Sequence, residues 1–513
     1  MPLRLYNTRT RSVEPFRPLH GERVHVYVCG LTPSAEGHVG HARSFLFFDV
    51  LRRYLEHPRN GFQVTFVKNV TDIDDRSIAT AQREGTTYDR IVARYYDSFT
   101  QSMERLGVRP ADREPFATKA IPEIQLMIDR LVESGHAYAS RDGIYFGVET
   151  FADYGKLSGK KVDELLIGAR IEENEDKRNP LDFALWKFAR EGEPAWPWRA
   201  GSPNDGTSAW AGRPGWHIEC SAMIADEFGM ETIDVHGGGY DLVFPHHENE
   251  IAQSESLMPQ QPQPRLLANF WLHGGLLNFD GRKMSKSLGN FEPLSALLDR
   301  HDPFAIRLLF LQTGYRKPMN FTEDSIGAAT TALRRLQAAA AELRRPPQVA
   351  SEGAREAPDK EPQQLRDAFF AALDDDMDTS RAAATLFYVA TRAKGYVAAG
   401  KGVETLAFVR EAAAILGIGP AFADDVLDRT SAEPPERLLP ADLPRRLSAR
   451  LGDALHLNGE SPEAAIQAVI DARTAARKNK DFALGDRLRD ALAAEGIALK
   501  DSKDGTTWTA AGE

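Results

Sequence analysis

RVHVYVC (Arg23–Cys29), GLTPSAEG (Gly30–Gly37) and HVGHARSFLFFDVLRRYLE (His38–Glu56) follow one another without a break. The first stretch alternates apolar and polar residues and is rich in valine, which predicts a strand. The second supplies Gly, Pro and Ser, the residues of a loop. The third repeats apolar residues at helical spacing, which predicts an amphipathic helix. Strand, glycine-bearing loop and helix open a nucleotide-binding α/β unit, because the free N–H groups at such a helix start can receive phosphate. A second strand is predicted over Gln63–Val70 (QVTFVKNV), ending in the acidic turn TDIDD. Strand–helix–strand implies a parallel sheet with helices on its faces.

Outward from this unit the character changes. Residues about 120–210 are less periodic, with the turn-rich YGKLSGKK and the cluster Trp196-Pro197-Trp198, and are expected to form an insertion in the sheet domain. Strand patterning resumes near Thr232–Val235, and Met258–Arg265 (MPQQPQPR) reads as a proline-rich loop. From Asp324 alanine-rich amphipathic helices dominate, over Ile326–Arg344, Leu365–Lys394 and Val403–Leu416. Polar, proline-punctuated linkers are expected at Pro346–Gln364 and Glu433–Pro444. Ser461–Glu513 reads as a helix pair with a short β ending, IALKDSKDGTTWT. The expected organisation is therefore a Rossmann-like, doubly wound catalytic domain over 1–323, with its insertion and a loop region over about 265–323. A helical bundle over 324–450 and a small mixed C-terminal domain over 451–513 follow.

At 513 residues the chain can bury several cores, and its 42% hydrophobic and 27% charged residues exclude a disordered or fibrous protein. No apolar run approaches the about 18 residues of a membrane span. The N-terminus, MPLRLYNTRTRSVEPF, carries charge where a signal peptide needs an apolar core, so a cytoplasmic protein is expected. The net charge of −11 lacks a general basic footprint, although a local basic groove can sit on an acidic body. Two cysteines, Cys29 and Cys220, rule out both a disulfide framework and a four-cysteine zinc site; any metal must take mixed ligands.

Three constellations carry chemistry. His38-Val39-Gly40-His41 places two imidazoles at a helix N-terminus, where they can donate to phosphate as charge develops. Gly40 would let a nucleotide approach the backbone. Lys283-Met284-Ser285-Lys286-Ser287 lies in a Gly/Asn-flanked loop whose lysines suit a pyrophosphate leaving group as point charges. Third, Cys29 and Cys220 may be read with FPHHENE (Phe244–Glu250), where His246 and Glu250 share a helix face at i and i+4. Two thiolates, an imidazole and a carboxylate make a tetrahedral zinc set. By position His247 serves as well as His246, and each cysteine taken singly also fits a small buried hydrophobe.

HVGH followed by KMSKS resembles the paired signatures of class I aminoacyl-tRNA synthetases. RPGWHIECSAM (Arg213–Met223), IDVHGGGYDLVFPHHENEIAQSE (Ile233–Glu255), NVTDIDD (Asn69–Asp75) and GRKMSKSLGN (Gly281–Asn290) are together similar to the cysteinyl-tRNA synthetase family, and the similarity runs from YNTRTR to the final GTTW. The resemblance implies Cys29, Cys220, His246 and Glu250 as ligands of one Zn²⁺ per subunit. It implies that Cys29, Gly30, Thr32, Thr71, Trp216 and His236 line the cysteine pocket. His38, Gly40, His41, Lys283 and Lys286 would serve ATP and its Mg²⁺, with the two histidines and two lysines as the catalytic groups. In the C-terminal segment Arg477, Phe482, Asp486 and Asp501 match anticodon-contacting positions, although by composition alone that segment is a solvated helix pair. The implied activity is ATP-dependent ligation of L-cysteine to tRNA(Cys) through cysteinyl-adenylate by a monomer. Two other readings share parts of this pattern. A ligase joining cysteine to an amino sugar would lack most of the segment after KMSKS, and an inactive RNA-binding paralogue should have lost a signature. The chain departs from the family in HVGH for HIGH, in CGLTPSAEGHVGH where relatives carry a Val-Tyr-Asp run, and in the extra loop Arg199–Ser208.

Overall fold

The computed structural model describes residues 2–159, 177–199, 210–259, 265–279, 282–283, 292–346, 358–432, 442–452, 455, 457, 461–479, 481–502 and 505–510. A hairpin of β1 (Arg4–Asn7) and β2 (Ser12–Pro15) precedes β3 (Arg23–Leu31), α1 (Val39–Glu56) and β4 (Gln63–Val70). The helices α2 (Asp75–Glu84), α3 (Tyr88–Arg105) and α4 (Ile121–Glu133) follow. A four-stranded antiparallel sheet comes next, from β5 (Ala137–Ala139), β6 (Gly143–Phe146), β7 (Phe183–Phe188) and β8 (Gly212–Pro214). The chain then returns through α5 (Trp216–Phe228), β9 (Ile233–Gly239), α6 (Glu248–Leu257) and β10 (Ala268–Gly274). The extra loop and the segment Met258–Arg265 fall largely outside the described residues.

The central sheet has the order β10-β9-β3-β4, with every pair parallel. The chain turns outward in both directions from the β3/β9 boundary, a topological switch point, and in such sheets ligands bind beyond the carboxyl ends of the strands there. Alternation along β3 divides the two faces. Val24, Val26 and Val28 join a core with α1 and the later helices. Tyr27 and Cys29 join a second core with α4, α5 and the antiparallel sheet.

A short sheet of β11 (Leu277–Phe279), β12 (Arg282–Lys283) and β13 (Met319–Phe321) lies between β10 and the helical region. Beyond β12 come α7 (Leu294–Arg300) and α8 (Pro303–Leu311), then α9 (Glu323–Leu343), α10 (Pro362–Leu373), α11 (Thr379–Ala398), α12 (Gly402–Ile415) and α13 (Asp424–Ala432). These helices share the first core with the sheet. Buried Arg307 ties the two together, donating to the carbonyls of Leu106 (3.0 Å) and Leu416 (2.8 Å) and to Asp49 on α1.

The helix expected over Leu365–Lys394 is two helices. Asp376 and Met377 adopt positive φ between them, Met377 is fully buried, and Asp374 accepts from Tyr54 Oη (2.5 Å) and Arg59 (2.9 Å). Side chains of an Asp-rich run satisfied by distant partners stop a helix that periodicity alone would continue. The linker expected at Glu433–Pro444 also ends early, because Pro444 occupies the first turn of α14 (Leu443–Leu451), where its missing N–H costs nothing. α14 packs with α15 (Pro462–Lys478), α16 (Phe482–Ala494) and the hairpin of β14 (Ile497–Ser502) and β15 (Gly505–Ala510). The buried residues of this unit, from Leu443 to Ile497, form a core of their own. Among the described residues no helix is long and apolar enough to cross a membrane.

Candidate active site

At the carboxyl ends of β3 and β9 lies a cavity of about 680 Å³. Its floor carries a cluster that the fold assembles from three elements: Cys29 from β3, Cys220 from α5, and His246 with Glu250 from the turn into α6. All four side chains are buried. The sulfur atoms are 3.7 Å apart, Cys29 Sγ is 3.4 Å from Glu250 Oε1, and His246 Nε2 is 2.9 Å from the same oxygen. Tetrahedral zinc with Zn–S bonds of about 2.3 Å would set its two sulfurs about 3.8 Å apart. The spacing and the S₂NO donor chemistry therefore fit zinc.

The electrostatics favour ligand forms of these groups. The hydrogen bond from Cys29 pulls the Cys220 thiol down to about 6, against its burial, so Cys220 ionises first. Burial, with Cys220 alongside, pushes the Cys29 thiol well up. Burial also acts against Glu250, but His236 and His246 hold its carboxyl well below the usual range.

A second set, Cys29, His236, His247 and Glu250, shares two members with the first. His247 Nε2 is 3.3 Å from Cys29 Sγ, and its Nδ1 is 2.7 Å from His273 Nε2. His273 Nδ1 in turn meets Thr8 Oγ1 at 2.8 Å. His236 Nε2 meets Glu250 Oε2 at 2.7 Å, and its ring stacks on Trp271. Cys29, Cys220 and His246 line the cavity, whereas His236 and His247 lie one layer deeper. The first set therefore faces an incoming ligand and the second supports it from behind, as ligand-orienting partners do in metal sites.

Above this floor stand the other residues singled out in the sequence. Trp216, 38% exposed, stacks on the His246 ring at 4.4 Å. Thr32 and Thr71 line the wall. Asn69 links this wall together, accepting from the Gly30 N–H (2.8 Å) and donating to Thr71 Oγ1 (3.3 Å). A Cβ on Gly30 would fall 1.6 Å from the Asn69 carbonyl oxygen, so only glycine fits there.

His38 is the N-cap of α1, and its Nδ1 accepts from the Gly40 N–H at 3.1 Å. His41 Nδ1 faces the His38 N–H at 3.5 Å, and the two rings stack at 3.8 Å. These acceptor roles for Nδ1 leave Nε2–H as the donor on each ring. Burial, reinforced by His38 and Arg76, pushes His41 down to about 3, so it is a neutral imidazole at physiological pH. Gly40 lines the cavity and has a packing role as well. A Cβ there would meet His38 Cε1 and Nδ1 at 2.9 Å, so its bareness makes room for the His38 ring.

Lys283 ends β12, whose backbone pairs with β11, and Lys286 lies outside the described residues. Arg43, a residue the sequence reading passed over, holds the segments that lead into β11 and β13. Its guanidinium donates to the carbonyls of Gly275 (3.1 Å), Leu276 (3.2 Å), Gly314 (3.2 Å) and Lys317 (2.6 Å). Asp241 was also passed over, and its carboxylate lines the cavity. In the C-terminal unit, Arg477 lies in the last turn of α15, Phe482 opens α16 with 62% exposure, and Asp486 follows one turn later. Asp501 pairs in register with Thr506 at the turn of the last hairpin.

A family model described as tRNA synthetases class I (C) catalytic domain matches residues 15–331, and one described as cysteinyl-tRNA ligase anticodon binding domain matches residues 462–508. A cysteine–tRNA ligase of Alkalilimnicola ehrlichii is 43% identical over 512 residues, covering 99% of both chains. The chain belongs to the cysteinyl-tRNA synthetase family. It is a class I aminoacyl-tRNA synthetase, and its activity is the ATP-dependent attachment of cysteine to tRNA(Cys). Within the family, a cysteine–tRNA ligase of Thermosynechococcus vestitus is also 43% identical, covering 99% of this chain and 98% of the other. The fold extends more widely. Methionyl-tRNA synthetase of Mycobacterium tuberculosis, solved with methionyl-adenylate, superposes with a TM-score of 0.57 at 14% identity, covering 79% of this chain and 93% of that one.

Proposed function

We propose that the cavity at the switch point carries out both steps of cysteinyl transfer, with Zn²⁺ held by Cys29, Cys220, His246 and Glu250, one per subunit. The observation that supports this most is that a two-thiol, imidazole and carboxylate set forms the floor of the cavity whose rim carries His38 and His41. When bound, zinc supplies a soft centre that takes a thiolate far better than a hydroxyl, which distinguishes cysteine from serine where a pocket of fitting size discriminates weakly.

The chain's own residues position the rest. Trp216 and Thr71 flank the amino acid, and the Asp241 carboxylate offers the sign that an α-ammonium needs. In the first step a carboxylate oxygen of cysteine attacks the α-phosphorus of ATP. The bond to the bridging oxygen breaks, and pyrophosphate leaves with Mg²⁺. The Nε2–H groups of His38 and His41 donate to the phosphate oxygens as charge builds on them, and His41, being neutral, does so as a hydrogen-bond donor only. Lys283 and Lys286 hold the pyrophosphate. In the second step a hydroxyl of the terminal ribose of tRNA attacks the cysteinyl carbonyl carbon; the bond from that carbon to the phosphate oxygen breaks, and AMP leaves as its phosphate takes up the hydroxyl proton. Such transfer depends mainly on position and charge, and the residues named supply both.

The separate core from Leu443 onward is assigned to anticodon reading through Arg477, Phe482, Asp486 and Asp501, with stacking on the exposed Phe482 ring. The protein would act as a cytoplasmic monomer. The test is transfer of labelled cysteine to total tRNA with ATP and Mg²⁺, with serine as the control. Charging with cysteine alone is expected. Cysteine-dependent ATP–pyrophosphate exchange without charging would move the acceptor to a small amine.

A further inference from the structure

The opposite end of the same sheet carries a second group of metal-binding side chains. His25 lies near the start of β3 and Asp234 near the start of β9, whereas the active site is at the carboxyl ends of these strands. His25 and Cys29 are four residues apart, about 13 Å along an extended strand. His20 joins them through a tight turn, His20–Arg23, closed by the Arg23 N–H on the His20 carbonyl (3.3 Å) with Gly21 at a φ of +71°.

Asp234 is fully buried and clamps both ends of this turn. Its Oδ1 accepts from the Leu19 N–H at 2.7 Å and its Oδ2 from the His25 N–H at 2.8 Å. Each oxygen keeps a further lone pair. The imidazoles of His20 and His25 lie side by side at 4.9 Å, and the outer face of His25 stacks on Phe228 at 4.8 Å. One ligand atom from each of His20, His25 and Asp234 lies within 4.8 Å of the others. His20 Nε2 is sealed from solvent and has no hydrogen-bond partner among the described residues. The His25 ring is half-buried against His20 and Phe228. Arg23 and Glu231 lie close enough to act on the same ring with opposite signs.

We propose that His20, His25 and Asp234 form a second divalent transition-metal site, remote from the catalytic cluster, whose ion pins the His20–Arg23 turn to β9. Two imidazoles and one carboxylate are a set that Zn²⁺ accepts with water completing the shell. The fixed carboxylate and the stacked His25 leave only the His20 ring to settle when the ion enters.

The experiment uses the full chain after dialysis that leaves only tightly held metal. Zn²⁺ is then titrated in, and bound zinc per chain is measured by atomic emission, alongside thermal melting. The wild type should take up one further equivalent at micromolar Zn²⁺, with melting raised by about 1–3 °C at saturating ion. His25→Phe keeps the stack on Phe228, and His20→Gln keeps a polar side chain. Either should take up no further equivalent and lose the melting shift, with cysteine charging unchanged. A wild type that takes up no second equivalent by 100 μM Zn²⁺, or variants that bind it as the wild type does, would overturn the proposal. Because charging is read separately, failure here is distinguishable from failure of the catalytic assignment.

Discussion

Replacing Cys220 by serine separates the metal reading of the active site from a purely steric one. The substitution nearly preserves volume at a fully buried position, but it exchanges the more acidic of two sulfurs 3.7 Å apart for a neutral hydroxyl. Structural zinc sites of four ligands are worth about 10–16 kcal/mol in all. An equal share per ligand is about 2.5–4 kcal/mol, which at about 1.4 kcal/mol per decade weakens zinc roughly 60- to 700-fold. The assay is competition for zinc against a chelator of known affinity, with cysteine- and serine-dependent pyrophosphate exchange measured on the same samples. ATP binding, which depends on the His38–His41 end of the cavity, should be unchanged and serves as the control for folding. Zinc affinity within a few-fold of wild type would refute the ligand assignment. Metal loss with cysteine still strongly preferred over serine would refute selection by the metal.

Gly40→Ala should leave stability equal or slightly higher, since alanine suits a helix better by about 0.5–1 kcal/mol. Adenylate formation should nevertheless fall at least about tenfold, because the added methyl group displaces the His38 ring; an unchanged exchange rate would show that the ring position is immaterial. Burial pushes His273 down to about 3 in the fold, against about 6.5 when exposed. A base depressed in this way contributes stability that is present above pH 6.5 and is lost as pH falls toward 3. Its share lost at pH 5.5 is about 1.4 kcal/mol, so His273→Gln should flatten the fall in urea midpoint between pH 7.5 and 5.5, and an equally steep fall would refute the assignment. Phe482→Ala should raise the KM for tRNA roughly 5- to 150-fold, from about 1–3 kcal/mol of base stacking, with pyrophosphate exchange unaltered. Ending the chain just before Leu443, where the last core begins, should likewise spare exchange while abolishing charging; loss of both would assign the tail to folding.

Local patterns carried much of the fold. The alternation in Arg23–Cys29 set the two faces of β3, because a period of two on a buried strand leaves few other solutions. His246 and Glu250 were legible as a pair because helical spacing places them on one face, and their atoms meet at 2.9 Å. Less was legible where the chain folds back from a distance. His273 and Thr8 reach the Cys/His/Glu cluster through His247, and nothing within a local window links residues so far apart in sequence. The break at Asp374–Asp378 was missed for a related reason. Periodicity reports which face is apolar, whereas this helix stops where Asp376 and Met377 take positive φ, with the Asp376 carboxylate held by the distant Tyr6 N–H and Arg316.

The same distinction bears on how selectivity is built. The four proposed ligands come from three separate elements, and the groups that fix them are equally dispersed: His236 on β9, His273 on β10 and Thr8 beside β1. Glu250 and His247 thereby have partners that restrict their rotation, as a preorganised site requires. The restriction is tighter behind the floor than above it. Glu250 is held by two histidines at 2.7 and 2.9 Å, whereas the face toward the cavity is covered by Trp216, more than a third exposed. The partnered side chains behind the floor would keep the proposed ligand atoms in place, and the open face leaves a cysteine thiol a path to them. The amino acid can then be admitted at the surface of the cluster without loosening the sheet ends that also position the two signature histidines.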